Sequence, residues 1–123
     1  MDLHLEKQVE DNRGKIFFFS HGKKKFHVVE MKNGFARGGH YHNFEQLHLI
    51  LTGKIEYHAK NLTDDKEEIR IIHSPDTILI PAKTPHLFIA LEDSSFIEIY
   101  ENVYEATEYP EFRRIVEDKM KSA

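Results

Sequence analysis

The sequence contains no cysteine, and that single absence removes three kinds of chemistry together. A disulfide scaffold, thiolate catalysis and a cysteine-ligated zinc site all need a thiol. Positive charge is not in excess either. Seventeen Lys and Arg stand against 21 Asp and Glu, a formal charge of −4, so the electrostatic footprint of a nucleic-acid binder is missing. Long apolar runs are also missing: nothing approaches the roughly 20 residues that span a bilayer. The N-terminal residues are charged and carry no apolar signal core, so a soluble cytoplasmic protein with neither membrane nor nucleic-acid partner is expected.

What remains is 123 residues with 40% hydrophobic content, enough for one core and one domain over 1–123. Ile16–Phe19, Phe26–Met31, Gln46–Thr52, Lys54–His58, Glu68–Ile72, Thr77–Ile80, His86–Leu91 and Phe96–Tyr100 are rich in Ile, Val, Phe and Tyr. Turn formers such as Asn12-Arg13-Gly14, His21-Gly22, Asn33-Gly34, Thr52-Gly53 and Ser74-Pro75-Asp76 separate them. Short strands at regular spacing predict an antiparallel sandwich or barrel. The lysines at 23–25 suit a hairpin tip or strand edge. Helical spacing is confined to the end. There Pro110 suits a first helical position, and Phe112, Ile115, Val116 and Met120 predict an amphipathic helix over about 110–121.

Three of the nine histidines fall within residues 37–48, Arg-Gly-Gly-His-Tyr-His-Asn-Phe-Glu-Gln-Leu-His. Side chains of like parity on a strand share a face, so His40 and His42 point the same way. Gln46, His48 and Ile50 continue that face if the chain stays extended. A second element, Pro81-Ala82-Lys83-Thr84-Pro85-His86, delivers His86 from a tight turn to the start of a strand. Imidazoles with an amide oxygen suit Zn, Ni, Fe or Mn, and the same groups suit acid–base work near neutral pH. His4, His21, His27, His58 and His73 lack such company and are expected at the surface or in the core, with His58 the best placed to join the lumen. Tyr100 and Tyr104 close the last strand, where aromatic rings at a barrel rim are usually buried.

These residues resemble the cupin superfamily. Its first motif runs Gly, five residues, His-x-His, three or four residues, Glu, six residues, Gly. Gly34, His40, His42 and Gly53 fit that spacing, with Gln46 where most cupins carry Glu. Pro81 and His86 fit the second motif, so the resemblance covers about residues 34–100. It implies an all-β jelly-roll β-barrel, here with a short C-terminal α-helix. The flanks Asp11-x-Arg13-Gly14, Arg37-Gly38-Gly39-His40, Tyr100 and Tyr104-Glu105-x-Thr107-Glu108-Tyr109 look like the sugar-nucleotide cupins. Those include dTDP-4-dehydrorhamnose 3,5-epimerases, dTDP-4-keto-6-deoxyhexose 3,4-ketoisomerases and the cupin domains of capsule-synthesis reductases. The ketoisomerases, which keep His-x-His and Gln46, are the closer match.

That resemblance implies an isomerase of polysaccharide biosynthesis, moving a proton beside the keto group of a nucleotide-linked deoxy sugar with no metal required. His40 would be the base and Tyr100 the acid, while His86 polarises the substrate. Arg37 would hold a phosphate, with His48 and Tyr104 on the substrate. A rival expectation places one divalent ion among His40, His42, Gln46 and His86, acting on or binding a small acid or sugar. A third is a sugar-binding module without turnover. A homodimer is expected, because Ile16–Phe19 offers apolar residues on both faces of a strand.

Overall fold

The computed structural model describes residues 2–101 and 103–121. Eleven strands and one helix follow one another: β1 (His4–Asp11), β2 (Gly14–His21), β3 (Lys24–Met31), β4 (Ala36–Tyr41), β5 (Gln46–Thr52), β6 (Lys54–Lys60), β7 (Glu67–His73), β8 (Asp76–Ile80), β9 (His86–Ala90), β10 (Ser94–Tyr100), β11 (Thr107–Glu108) and α1 (Pro110–Lys121). The strands form two antiparallel sheets, ordered β1-β2-β3-β10-β5-β8 and β11-β4-β9-β6-β7. This is the all-β jelly roll with one short C-terminal helix that the sequence predicts.

Alternation decides which side chains meet between the sheets. In β6 the odd residues Ile55, Tyr57 and Ala59 are buried and the even ones are not. They join Val29, Ile50, Ile80, Phe88 and Phe96 in the main core. A second cluster lies outside the five-stranded sheet, where Phe112 and Val116 of α1 cover Ala36, Leu87 and Ile89. Burying side chains of that size stabilises by about 1.5–3 kcal/mol each. Short strands therefore become buried on both faces, and β9 is buried throughout.

Register turns the six-stranded sheet into rows. One inward row reads Val9, Ile16, Val29, Phe96, Ile50, Asp76 and feeds the core. The next inward row reads Lys7, Phe18, His27, Glu98, His48, Ile78 and is polar at its centre. Facing outward, one row reads Leu5, Phe19, Phe26, Ile99, Leu47, Leu79, and a second reads Gln8, Phe17, Val28, Ile97, Leu49, Thr77. The outer surface of this sheet is thus largely apolar, with Leu5, Leu47 and Leu79 at least 40% exposed.

Candidate functional site

Two glycines open the path to the site. Gly38 (φ +103°) and Gly39 (φ +83°) sit at an irregularity in the β4–β9 ladder between Gly38 and His40. A Cβ at Gly38 would lie 2.8 Å from the His86 carbonyl, and one at Gly39 would lie 2.7 Å from Arg113 Cδ. Only glycine admits this close approach, and it turns His40 inward opposite His86. His42 follows just past the end of β4, pinned where Lys83 N–H donates to its carbonyl at 2.6 Å.

The three imidazoles converge. Ring centroids are 4.8 Å apart for His40–His42, 5.2 Å for His40–His86 and 5.6 Å for His42–His86. One ligand nitrogen from each lies within 4.8 Å of the others. Nδ1 of His42 meets the Glu105 carbonyl at 2.7 Å, and Nδ1 of His86 meets that of Thr84 at 3.0 Å. A carbonyl only accepts, so both rings carry their hydrogen on Nδ1 and leave Nε2 with a free lone pair. His42 Nε2 is buried without a hydrogen-bond partner among the described residues, and so is Oε1 of Gln46. Burial, then the neighbouring imidazoles, pushes His40 down to about 4 and His86 down to about 3. Burial also lowers His42, against the pull of the Glu105 carbonyl. The cluster is neutral at pH 7, the protonation state that a metal ligand needs.

The opposite wall comes from the polar row. His27 Nδ1–H donates to Glu98 Oε2 at 3.2 Å, and Tyr100 Oη lies 3.2 Å from His27 Nε2. His48 Nε2 stands 3.5 Å from Glu98 Oε1, close enough for attraction but too long for a good hydrogen bond. Burial works to raise Glu98. The hydrogen bond from His27 and the attraction of His48 outweigh it and hold the carboxyl well below the usual carboxylate range. Burial and then the Glu98 charge push the Tyr100 phenol above its ordinary value, and Tyr104 rises to about 12 for the same two reasons.

Both walls open on a cavity of about 740 Å³, lined by His40, His27, Glu98, Tyr100, Tyr104 and Arg37 among others. Five cations (Lys7, Arg13, Lys25, Arg37 and Arg113) face it against two carboxylates, Glu6 and Glu98. Arg13 is spent on Asp11 and Lys25 on Glu6. Arg37 differs: its guanidinium is buried and, among the described residues, donates only to the carbonyls of Glu30 and Gly14 and has no carboxylate partner. Burial lowers it to about 10, which leaves it charged at pH 7. Phe44 stacks on His42 at 5.0 Å and on Tyr100 at 5.3 Å, so one phenyl ring separates the two walls.

Of the residues expected from sequence, His40, His42 and His86 meet in one cluster, and of these His40 lines the cavity together with Arg37, Tyr100 and Tyr104. Gln46 and His48 are buried on the inward face of β5, as parity indicates. The route differs from a continuous strand: residues 42–45 turn the chain from one sheet into the other, so the imidazole pair and Gln46 belong to facing sheets. His58 is a correction. Ile55, Tyr57 and Ala59 take the inward face of β6, and His58 points to the other side, between Glu56 and Glu67 and near Phe112. His27 is the reverse correction, since it lines the cavity. Glu98 escaped the sequence reading altogether. A charged residue in the centre of the apolar run Phe96–Tyr100 was its one available signal.

Neither a protein-family model nor a curated protein sequence matches the chain. Solved structures do. Capsular polysaccharide assembling protein CapF from Staphylococcus aureus aligns with a TM-score of 0.70 at 19% identity, over 80% of this chain and 31% of that one. Oxalate decarboxylase from Bacillus subtilis aligns with a TM-score of 0.76 at 14% identity, over 86% of this chain and 31% of that one. The chain has the cupin fold. It spans about a third of the length of these structures. CapF has been solved with the inhibitor 3-isopropenyl-tropolone, and the Bacillus enzyme carries Mn(II) centres. Among the described residues no helix is long and apolar enough to cross a membrane.

Proposed function

We propose that this chain is a metal-binding cupin in which His40, His42, His86 and Gln46 hold one divalent transition ion beside a cavity that takes an anionic sugar derivative. The observation that carries the reading is the shared tautomer of His42 and His86. Each ring spends Nδ1–H on a backbone carbonyl and aims a bare Nε2 at the others. The unpaired Oε1 of Gln46 adds a neutral oxygen donor. Zn, Ni, Fe or Mn suits such a set, and when bound it polarises a carbonyl oxygen of the ligand. Arg37 supports an anionic ligand, because a buried guanidinium with no carboxylate partner among the described residues suits a phosphate. Tyr100 and Tyr104 give aromatic rings in the cavity wall on which a sugar or base can rest. Together with the likeness to CapF, this favours a nucleotide-linked sugar of polysaccharide assembly as the ligand class.

A second reading keeps the same ligand without an ion, with His40 as the base of a sugar-nucleotide isomerase. Two observations favour it. His40 lines the cavity, and its ring makes no hydrogen bond among the described residues. Elemental analysis of untagged protein separates the two. Close to one ion per chain, sharply reduced in His42→Ala and His86→Ala, is the expected result. Failure of chelated protein to take up Zn, Ni, Mn or Fe at micromolar ion would overturn the metal reading. Deuterium entering dTDP-4-keto-6-deoxyglucose from D2O with metal-free protein would then select the isomerase, and heat protection by dTDP without exchange would select a binding module.

A further inference from the structure

We propose that Tyr100, His27 and Glu98 form a proton-transfer triad on the sheet that faces the imidazole cluster. The arrangement follows from register. Glu98 lies directly across from His27 on β3 and His48 on β5, and Tyr100 lies two residues further along the same face of β10. A carboxylate only accepts, so the 3.2 Å contact from Glu98 fixes the His27 hydrogen on Nδ1. His27 Nε2 is then a bare lone pair, and the partner it meets is the Tyr100 hydroxyl at 3.2 Å. Carboxylate, imidazole and phenolic hydroxyl stand in the order that orients a general base and stabilises the imidazolium it becomes. The edges of Phe18 and Tyr100 clamp the His27 ring at 4.5 and 5.2 Å, which holds that orientation.

Two observations separate this unit from an ordinary buried polar bridge. First, all three members line the cavity that also exposes His40, so their hydrogen bonds end at the ligand space rather than in the core. Second, Glu98 pairs with histidines alone among the described residues, although five Lys and Arg side chains line the same cavity. A carboxylate placed for stability alone would sit against one of those fixed charges. One placed against imidazoles sets tautomers and receives protons.

The step balances without a further reactant. A ligand with a hydrogen beside its carbonyl gives that proton to Tyr100 Oη while the phenolic proton passes to His27 Nε2. The electron pair of the broken C–H bond moves into the ligand as an enolate. His27 becomes an imidazolium against Glu98, and reversal returns a proton to the ligand. The triad shares only its ligand with the reading above, since none of its atoms belongs to His40, His42, Gln46 or His86.

The test uses the full chain loaded with Zn, labelled with ¹⁵N-histidine, and dTDP-4-keto-6-deoxyglucose in D2O as probe. Long-range ¹H–¹⁵N spectra should show His27, assigned by its loss in His27→Asn, with hydrogen on Nδ1 and none on Nε2. Tyr100→Phe and His27→Asn should each slow deuterium entry at least 100-fold with Zn content unchanged. Glu98→Gln should slow it at least 10-fold, with partial recovery in Glu98→Asp, which a merely structural carboxylate would not give. His27 with its hydrogen on Nε2, wild-type exchange in Tyr100→Phe, or no exchange by the wild-type protein would each overturn the triad. Loss of Zn with retained exchange would instead overturn the metal reading and leave the triad standing.

Discussion

A buried imidazole beside two others resists protonation, and this gives single residues control over acid stability. His40 and His86 sit at about 4 and about 3, against 6.5 for an exposed ring. Between those values the unfolded chain binds protons that the folded chain refuses, so stability is full above pH 6.5 and is lost as pH falls towards 4. Glu98 acts in the same direction at the lower end, because its depressed value makes the carboxylate a stabilising group that acid removes. The melting temperature of chelated protein should therefore fall steadily from pH 6.5 to 4, and His86→Gln should flatten that slope. A flat wild-type profile over the range would refute a neutral cluster. Residues of this site are legible in sequence where local spacing or a motif carries them, as Pro81 carries His86. His40 and His42 announce themselves by spacing. The meeting of His27 with Glu98 depends on cross-strand register over 71 positions and has no local signature.

At the scale of elements, the sequence reading succeeded wherever burial imposes a period. The helix over 110–121 has such a period, and the eight apolar strands, marked by Ile, Val, Phe and Tyr between turn formers, each appear as well. The sequence does not mark β1, because His-Leu-Glu-Lys-Gln-Val-Glu-Asp is exposed along its whole length and has no buried face to pattern. β4 shows in the sequence only through His40, because Ala-Arg-Gly-Gly-His-Tyr reads as a turn former rather than a strand. Its glycines instead report contact with α1. Tyr109 N–H donates to the Gly39 carbonyl at 2.8 Å, and Arg113 Nη1 donates to that of Gly38 at 3.1 Å. Gly39→Ala should thus cost about 3 kcal/mol in denaturant unfolding, through both its positive φ and the collision with Arg113. Gly22→Asn is the control: φ is +58° there with nothing within 4 Å, and it should cost less than about 1 kcal/mol. Equal losses at the two positions would show that α1 yields to β4 rather than fixing it.

For the whole molecule, the two outward apolar rows of the six-stranded sheet are the dominant surface feature. Strands spaced about 4.8 Å apart make each six-residue row roughly 25 Å long, and two rows of this width can form the core of a standard interface. We expect a second copy of this chain to cover them in a two-fold dimer, with Phe17 and Phe19 of β2 inside the contact. Sedimentation should show a dimer at tens of micromolar. Leu47→Glu combined with Leu79→Lys should give a folded monomer, since both side chains are at least 40% exposed in the single chain. A wild-type monomer at that concentration would refute the contact. One feature inside the barrel bears on time rather than equilibrium. His42 lies in the segment after β4 and His86 starts β9, and the Lys83 N–H bonded to the His42 carbonyl ties the turn before β9 to that segment. An ion therefore finds three nitrogens only after distant parts of the chain have already closed, and cannot template their closure. Added Zn should leave the refolding rate nearly unchanged and slow unfolding instead, so the site would act as a latch on the finished fold.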